Sequence, residues 1–183
     1  TPPGSQTLTE VTAATIQFLE EYHSPEATSF ERRTRETMLV CEACAPRDVA
    51  YDEQGTLWIA AQSPASFIEL RRPHTRPGAS TRIDDGAPAR VVAIAGTGWL
   101  AAGTRGTSVL LFDTRERQVS AVEVGPSPEV VAVRPGTTEV WAAVNPAGRL
   151  AVLLTGHGTD LKPVLHPAPA FPQDLAFVPD GRW

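Results

Sequence analysis

The sequence predicts an all-β fold: a β-propeller of about four four-stranded blades, or an incomplete arc of a larger propeller. Three observations carry this expectation. Four tryptophans, Trp58, Trp99, Trp141 and Trp183, recur at spacings of 41, 42 and 42 residues. The first three stand in matching apolar frames, Leu57-Trp58-Ile59-Ala60-Ala61, Gly98-Trp99-Leu100-Ala101-Ala102 and Val140-Trp141-Ala142-Ala143-Val144. A proline-led strand pattern precedes each tryptophan and carries a recurrent alanine, Ala50, Ala93, Ala132 and Ala176, at spacings of 43, 39 and 44.

The elements within one repeat follow from local chemistry. The proline-led strands are Pro46–Tyr51, Pro88–Ile94, Pro128–Val133 and Pro172–Phe177. Turn residues such as Asp52-Glu53-Gln54-Gly55 and Pro179-Asp180-Gly181 separate strand from tryptophan, because Gly and Asp accept the backbone angles of short hairpins. Two further strand-like runs follow the tryptophan, for example Ser108–Phe112 and Gln118–Val124. Four short strands in a period near 40 residues are the sequence sign of a propeller blade. Small residues suit an inner strand crowded near the axis, and Trp suits the space between sheets. A helical solenoid of the same period needs helical apolar spacing over ten or more residues, whereas these runs span five or six between turns.

These boundaries predict an N-terminal tail at residues 1–11, a partial blade at 12–45, and blades at 46–87, 88–127 and 128–171. Residues 172–183 would begin a truncated blade or supply a closing strand. Two readings fit the first 45 residues. Thr7-Leu8-Thr9-Glu10 has capping-box form, with Val11, Phe18, Leu19 and Tyr22 near one helical face. Against this, Ile16 lies 42 residues before Trp58, and residues 24–33 resemble residues 63–72. The repeat reading is preferred. It makes Thr37–Cys41 the outer strand of a blade that lacks its first strand.

Composition bounds function. The chain has 183 residues, 21 acidic and 16 basic, for a formal charge of −5. Residues 1–45 hold seven acidic and three basic groups, so the acidity is N-terminal. Such a chain lacks the basic footprint of a nucleic-acid binder. Its longest apolar run, Val91–Gly103, is shorter than the roughly 20 residues of a spanning helix. The chain starts at Thr1 without Met, leaving room for a removed leader.

Val124-Gly125-Pro126-Ser127-Pro128-Glu129-Val130-Val131-Ala132-Val133 resembles the YVTN-type repeat, and residues 48–58 are similar to NHL and virginiamycin-lyase-like repeats. The resemblance covers residues 46–183, and more distantly residues 12–45, and implies a propeller there. It implies little about activity, since these families include lactonases, lyases, surface proteins and interaction scaffolds. The YVTN tetrapeptide itself is replaced here by Val140-Trp141-Ala142-Ala143.

Candidate chemistry is sparse. Cys41 and Cys44 form a lone Cys-x-x-Cys, without the second pair of ligands zinc needs and without the His of haem attachment. A local disulfide and two inert thiols remain open. Residues three apart on a strand face opposite sides, so a disulfide would need a turn or bulge. His23, His74, His157 and His166 sit beside Gly, Pro, Ser or Thr and read as exposed loop residues. Asp48, Glu129 and Asp174 follow the strand-leading prolines and are candidate channel-end acids, with Arg90 in the corresponding place of the middle copy. The resemblance to lactonase-type propellers, which hold a metal at the channel, gives these acids their functional reading. Ordinary loop-end polarity is the competing one. Arg71, Arg72, His74, Arg76 and Arg82 form a candidate anion-binding cluster, partly neutralised in sequence by Asp84 and Asp85. Gly96-Thr97-Gly98 lacks the following helix of a nucleotide loop.

The functional expectation is a non-catalytic scaffold, part of a larger extracytoplasmic or cell-surface protein, presenting loops to a protein or glycan partner. Neither a cofactor nor a metal is called for, and no nucleic-acid partner or membrane span is expected. One alternative is a propeller enzyme of lactonase or lyase type with a metal at the central channel. Another is a piece of a multi-chain assembly whose other chains complete the ring.

Overall fold

A computed structural model describes residues 6–11, 15–22, 31–39, 44–71, 78–145, 148–154, 161–169, 172 and 174–178. The fold is all-β, with no helix among the described residues. Three four-stranded antiparallel meanders follow one another. The first is β4 (Pro46–Tyr51), β5 (Leu57–Gln62), β6 (Ala65–Leu70) and β7 (Ser80–Arg82). The second is β8 (Pro88–Ile94), β9 (Trp99–Thr104), β10 (Ser108–Asp113) and β11 (Gln118–Glu123). The third is β12 (Val130–Val133), β13 (Glu139–Val144), β14 (Arg149–Leu154) and β15 (Val164–Pro167). Strand β8 packs beside both β4 and β12, so the first strand of each sheet lies innermost, as in propeller blades.

The alternation of each second strand explains the tryptophan repeat. In β5, Leu57, Ile59 and Ala61 face one side, while Trp58 and Ala60 face the next blade, packing with Val91, Leu100, Ala102, Leu110 and Phe112. In β9, Trp99 and Ala101 face the third sheet, and in β13, Trp141 and Ala143 again face forward. Because side chains alternate with a period of two, the Trp-x-Ala spacing puts a large and a small residue on the same forward face in every copy. Trp58 is 2% exposed and meets Phe112 of the second sheet edge-on, with ring centroids 5.2 Å apart. Burying such a ring contributes roughly 1.5–3 kcal/mol or more, and the edge-to-face pair about 0.5–1.5 kcal/mol beyond that.

Trp58 is also anchored at its polar end. Asp52 Oδ2 accepts from Trp58 Nε1 at 2.9 Å, and its Oδ1 accepts from the backbone N–H groups of Gln54 (3.0 Å) and Thr56 (2.8 Å). One carboxylate therefore closes the β4–β5 turn and satisfies the buried indole. Trp141 finds the corresponding acceptor in Glu139 Oε2 at 3.2 Å.

The N-terminal region is strand. β1 (Gln6–Val11), β2 (Thr15–Tyr22) and β3 (Glu31–Leu39) form an antiparallel meander. The expected tail at residues 1–11 thus holds a strand, and the strand expected to be missing ahead of Ile16 is present, with Val11 paired to Ile16. The β-branched Thr7, Thr9, Val11, Thr15 and Ile16 favour extended chain over the capping-box helix. Position 40 and Cys41, at the end of the expected outer strand, lie outside the described residues.

Two further differences concern the proline-led strands. The third starts at Val130, two residues later than its proline. Pro172 and residues 174–178 are not strand. Leu175 and Phe177 lie instead against the forward face around Trp141, with Phe177 edge-on at 5.6 Å. Trp183 lies outside the described residues.

Candidate functional site

Asp48 and Arg90 lie near the starts of the inner strands β4 and β8, Glu129 just precedes β12, and Asp174 lies in the non-strand segment 174–178. β-Bulges between Pro46 and Asp48 and between Pro88 and Arg90 set the first two. An extra residue at a strand start bends the strand and re-aims the side chain that follows.

The structure gives every one of these acids a partner. Asp48 Oδ2 accepts from the backbone N–H of Val91, 2.9 Å away on the next inner strand. Glu129 Oε2 lies 3.4 Å from Arg105 Nε, just beyond β9. Asp174 Oδ1 lies 2.9 Å from Arg90 Nη1, a contact spanning 84 residues and therefore two repeats. The arginine that stood in place of an acid in the middle copy is thus the counter-ion of the acid two copies on. The backbone N–H of Leu175 and then the Arg90 charge hold the Asp174 carboxyl below its ordinary range. Among the described residues, no three His, Cys, Asp or Glu side chains converge as a metal site.

A cavity of about 160 Å³ adjoins these residues, lined by Ser127, Glu129, Val130, Ala143, Asn145 and Pro172. It forms where the chain enters β12 beside the end of β13. Ser127 holds a left-handed backbone, with φ of 48°, and its N–H donates to Gly106 O at 2.7 Å. That bond and the one from Thr104 N–H to Pro128 O, 3.1 Å, fix the segment carrying Glu129 against the preceding blade.

Of the basic cluster, Arg72, His74 and Arg76 lie outside the described residues. Arg71 and Arg82 are exposed, and each faces an acid. Arg82 is 3.4 Å from Asp84, and Arg71 Nε donates to Glu69, which raises the Arg71 pKa. The two therefore serve as local counter-charges. Cys44 is buried and disulfide-bonded, while Cys41 lies outside the described residues. His166 sits on strand β15 rather than in a loop, stacked on Trp141 with centroids 5.8 Å apart. His23, His74 and His157 lie outside the described residues.

Sequence reasoning passed over a buried acid. Glu69 on β6 is 4% exposed, and its carboxylate is clasped between Arg71 and Arg117, the latter from the β10–β11 turn of the next blade. Arg117 also lies over the Trp58 ring, 5.9 Å from its centroid. The readable signal was a lone acid inside the apolar run Phe67-Ile68-Glu69-Leu70.

No family model matches the chain, and no curated protein matches it. Solved structures do. Hydrazine synthase of Kuenenia stuttgartiensis superposes with a TM-score of 0.66 at 18% identity, over 81% of this chain and 43% of that one. A functionally unknown protein of Desulfotomaculum acetoxidans gives 0.65 at 11% identity, over 96% and 60%. Virginiamycin B lyase of Staphylococcus aureus gives 0.63 at 10% identity, over 92% and 57%. At such identities the likeness is one of fold, and the chain spans 43% to 60% of the length of these structures.

Proposed function

We propose that this chain is a non-catalytic binding scaffold, several blades of a larger extracytoplasmic or cell-surface propeller that meets a protein or glycan partner. The observation that carries the reading is the engagement of the acids Asp48, Glu129 and Asp174. Asp48, Glu129 and Asp174 each face a backbone N–H or an arginine of another repeat, so each helps to join blades. A metal-dependent lactonase or lyase needs carboxylates that converge on one ion instead. The disulfide at Cys44 supports an oxidising compartment. The share of the superposed chains that this chain spans supports a larger ring, completed by further blades of the same polypeptide or by another chain.

A second reading has its own observation. The superposition on a lyase, together with a polar cavity beside Glu129, supports a propeller enzyme. Calorimetric titration with Mn²⁺, Mg²⁺ and Ca²⁺ separates the two. A scaffold takes up no stoichiometric ion at millimolar concentration, and D48N, E129Q and D174N lower its thermal midpoint without changing that metal titration. One saturable ion site, lost in E129Q, overturns the scaffold reading in favour of the enzyme.

A further inference from the structure

The cavity between β12, β13 and Pro172 has a chemistry of its own. Its polar side chains are a carboxylate (Glu129), an amide (Asn145) and a hydroxyl (Ser127), and its other walls are Val130, Ala143 and Pro172. Glu129 meets Arg105 through Oε2 alone, at 3.4 Å, and the Asn145 amide and Ser127 hydroxyl have no hydrogen-bond partner among the described residues. The lining is mainly polar, and the cavity thus offers three side-chain oxygens, one of them anionic.

We propose that this cavity binds a primary ammonium group on a short alkyl stem. An ammonium has three N–H donors and no acceptor, so it matches a set of oxygens in number and kind. Its charge complements Glu129, whose long 3.4 Å contact with the exposed Arg105 engages Oε2 and leaves Oε1 to the cavity. Val130, Ala143 and Pro172 meet the first methylenes of the stem, and the rest leaves through the open side of the cavity, as a lysine stem carries its charged head away from the chain that bears it. An apolar cavity of about 150 Å³ holds a benzene-sized molecule, so this volume admits an ammonium with about four carbons. Either a free amine or a lysine side chain of a protein partner carries such a group. The inference stands on the cavity and holds whether or not the propeller is catalytic.

The test is a titration of ¹⁵N-labelled protein with n-butylammonium, read at the Asn145 side-chain amide and the Val130 backbone amide. Saturable shifts are expected at both, weakened at least tenfold in E129Q and abolished in A143L, whose larger side chain fills the cavity. E129Q adds no volume, so it keeps the test valid should A143L fail to fold. Nα-acetyl-lysine N-methylamide distinguishes the sources: binding by it as well supports a lysine from a partner, and binding by butylammonium alone supports a free amine. Tetramethylammonium, with the same charge and no N–H donor, should leave both signals in place. Shifts that never saturate, that persist in E129Q, or that tetramethylammonium reproduces overturn the proposal.

Discussion

Replacing Gly103 by alanine tests the account of how the blades are joined. Gly103 lies on β9, where its backbone passes against the chain entering the next blade. A Cβ built there would stand 2.4 Å from the carbonyl oxygens of both Pro128 and Glu129, and 2.6 Å from the Glu129 carbonyl carbon. These neighbours are backbone, so the new methyl is accommodated only by moving one blade from the other. Overpacking of this kind costs about 1–3 kcal/mol. The neighbouring Thr104 is 0% exposed, and its N–H donates to Pro128 O at 3.1 Å. Parting the blades strands that donor, for a further ~1–3 kcal/mol. Alanine returns about 0.5–1 kcal/mol by restricting the unfolded chain. The net expectation is a loss of roughly 2–4 kcal/mol, or a fall of about 5–15 °C in thermal midpoint for a domain of this size, followed by circular dichroism. Gly96 is the control: it has a φ of 76° and nothing within 4 Å of a built Cβ. Gly96→Ala should therefore show only the left-handed backbone penalty, about 1–2 kcal/mol. A Gly103→Ala midpoint at or above that of Gly96→Ala would refute the close-approach argument.

Three other perturbations probe the same joints. Asp52→Ala removes the acceptor shared by the Trp58 indole and two turn N–H groups, and should cost about 1.5–3 kcal/mol in a urea melt, against little change for the exposed Glu116→Ala. Arg117→Ala leaves the buried Glu69 with Arg71 as its remaining cation. Because Arg117 is 30% exposed, solvent lowers the expected loss below the figure for a fully buried pair, to about 1–3 kcal/mol, and Arg117→Ala/Glu69→Gln should recover part of it in a double-mutant cycle. Asp174 has its folded pKa below the unfolded value. Its contribution is therefore complete above the unfolded carboxylate range and disappears as pH falls through the folded pKa. Asp174→Asn should remove that acid-side dependence from the midpoint-versus-pH curve, and an unchanged curve would deny Asp174 a role in it.

The fold was legible because propeller geometry imposes itself on every copy. Trp58, Trp99 and Trp141 are in register since each second strand must present a large residue forward, and one residue of slip would turn it to the opposite face. The first 45 residues were less legible for the opposite reason. With Ile16 in place of tryptophan, the local pattern also fitted a capped helix, and pairing between segments bears out the preferred strand reading. The segment from Pro172 shows the same dependence. Its sequence repeats a strand pattern, yet residues 174–178 carry no strand pairing, and Leu175 and Phe177 cover Trp141.

The candidate site was half legible, and the missing half is instructive. One-per-repeat spacing singled out Asp48, Glu129 and Asp174 as a set, because a repeat converts sequence period into spatial ring position. It could not say what the carboxylates face, since their partners come from other repeats: Val91, 43 residues on, Arg105, 24 back, and Arg90, 84 back. The cavity was illegible for the same cause. Ser127, Asn145 and Pro172 belong to three separate loops with no shared motif, and they meet because Thr104 N–H and Gly106 O hold the chain entering β12 in place. In a propeller, the contacts that decide between a joint and a ligand site are the ones between copies, so a single repeat read alone assigns charge without assigning its use.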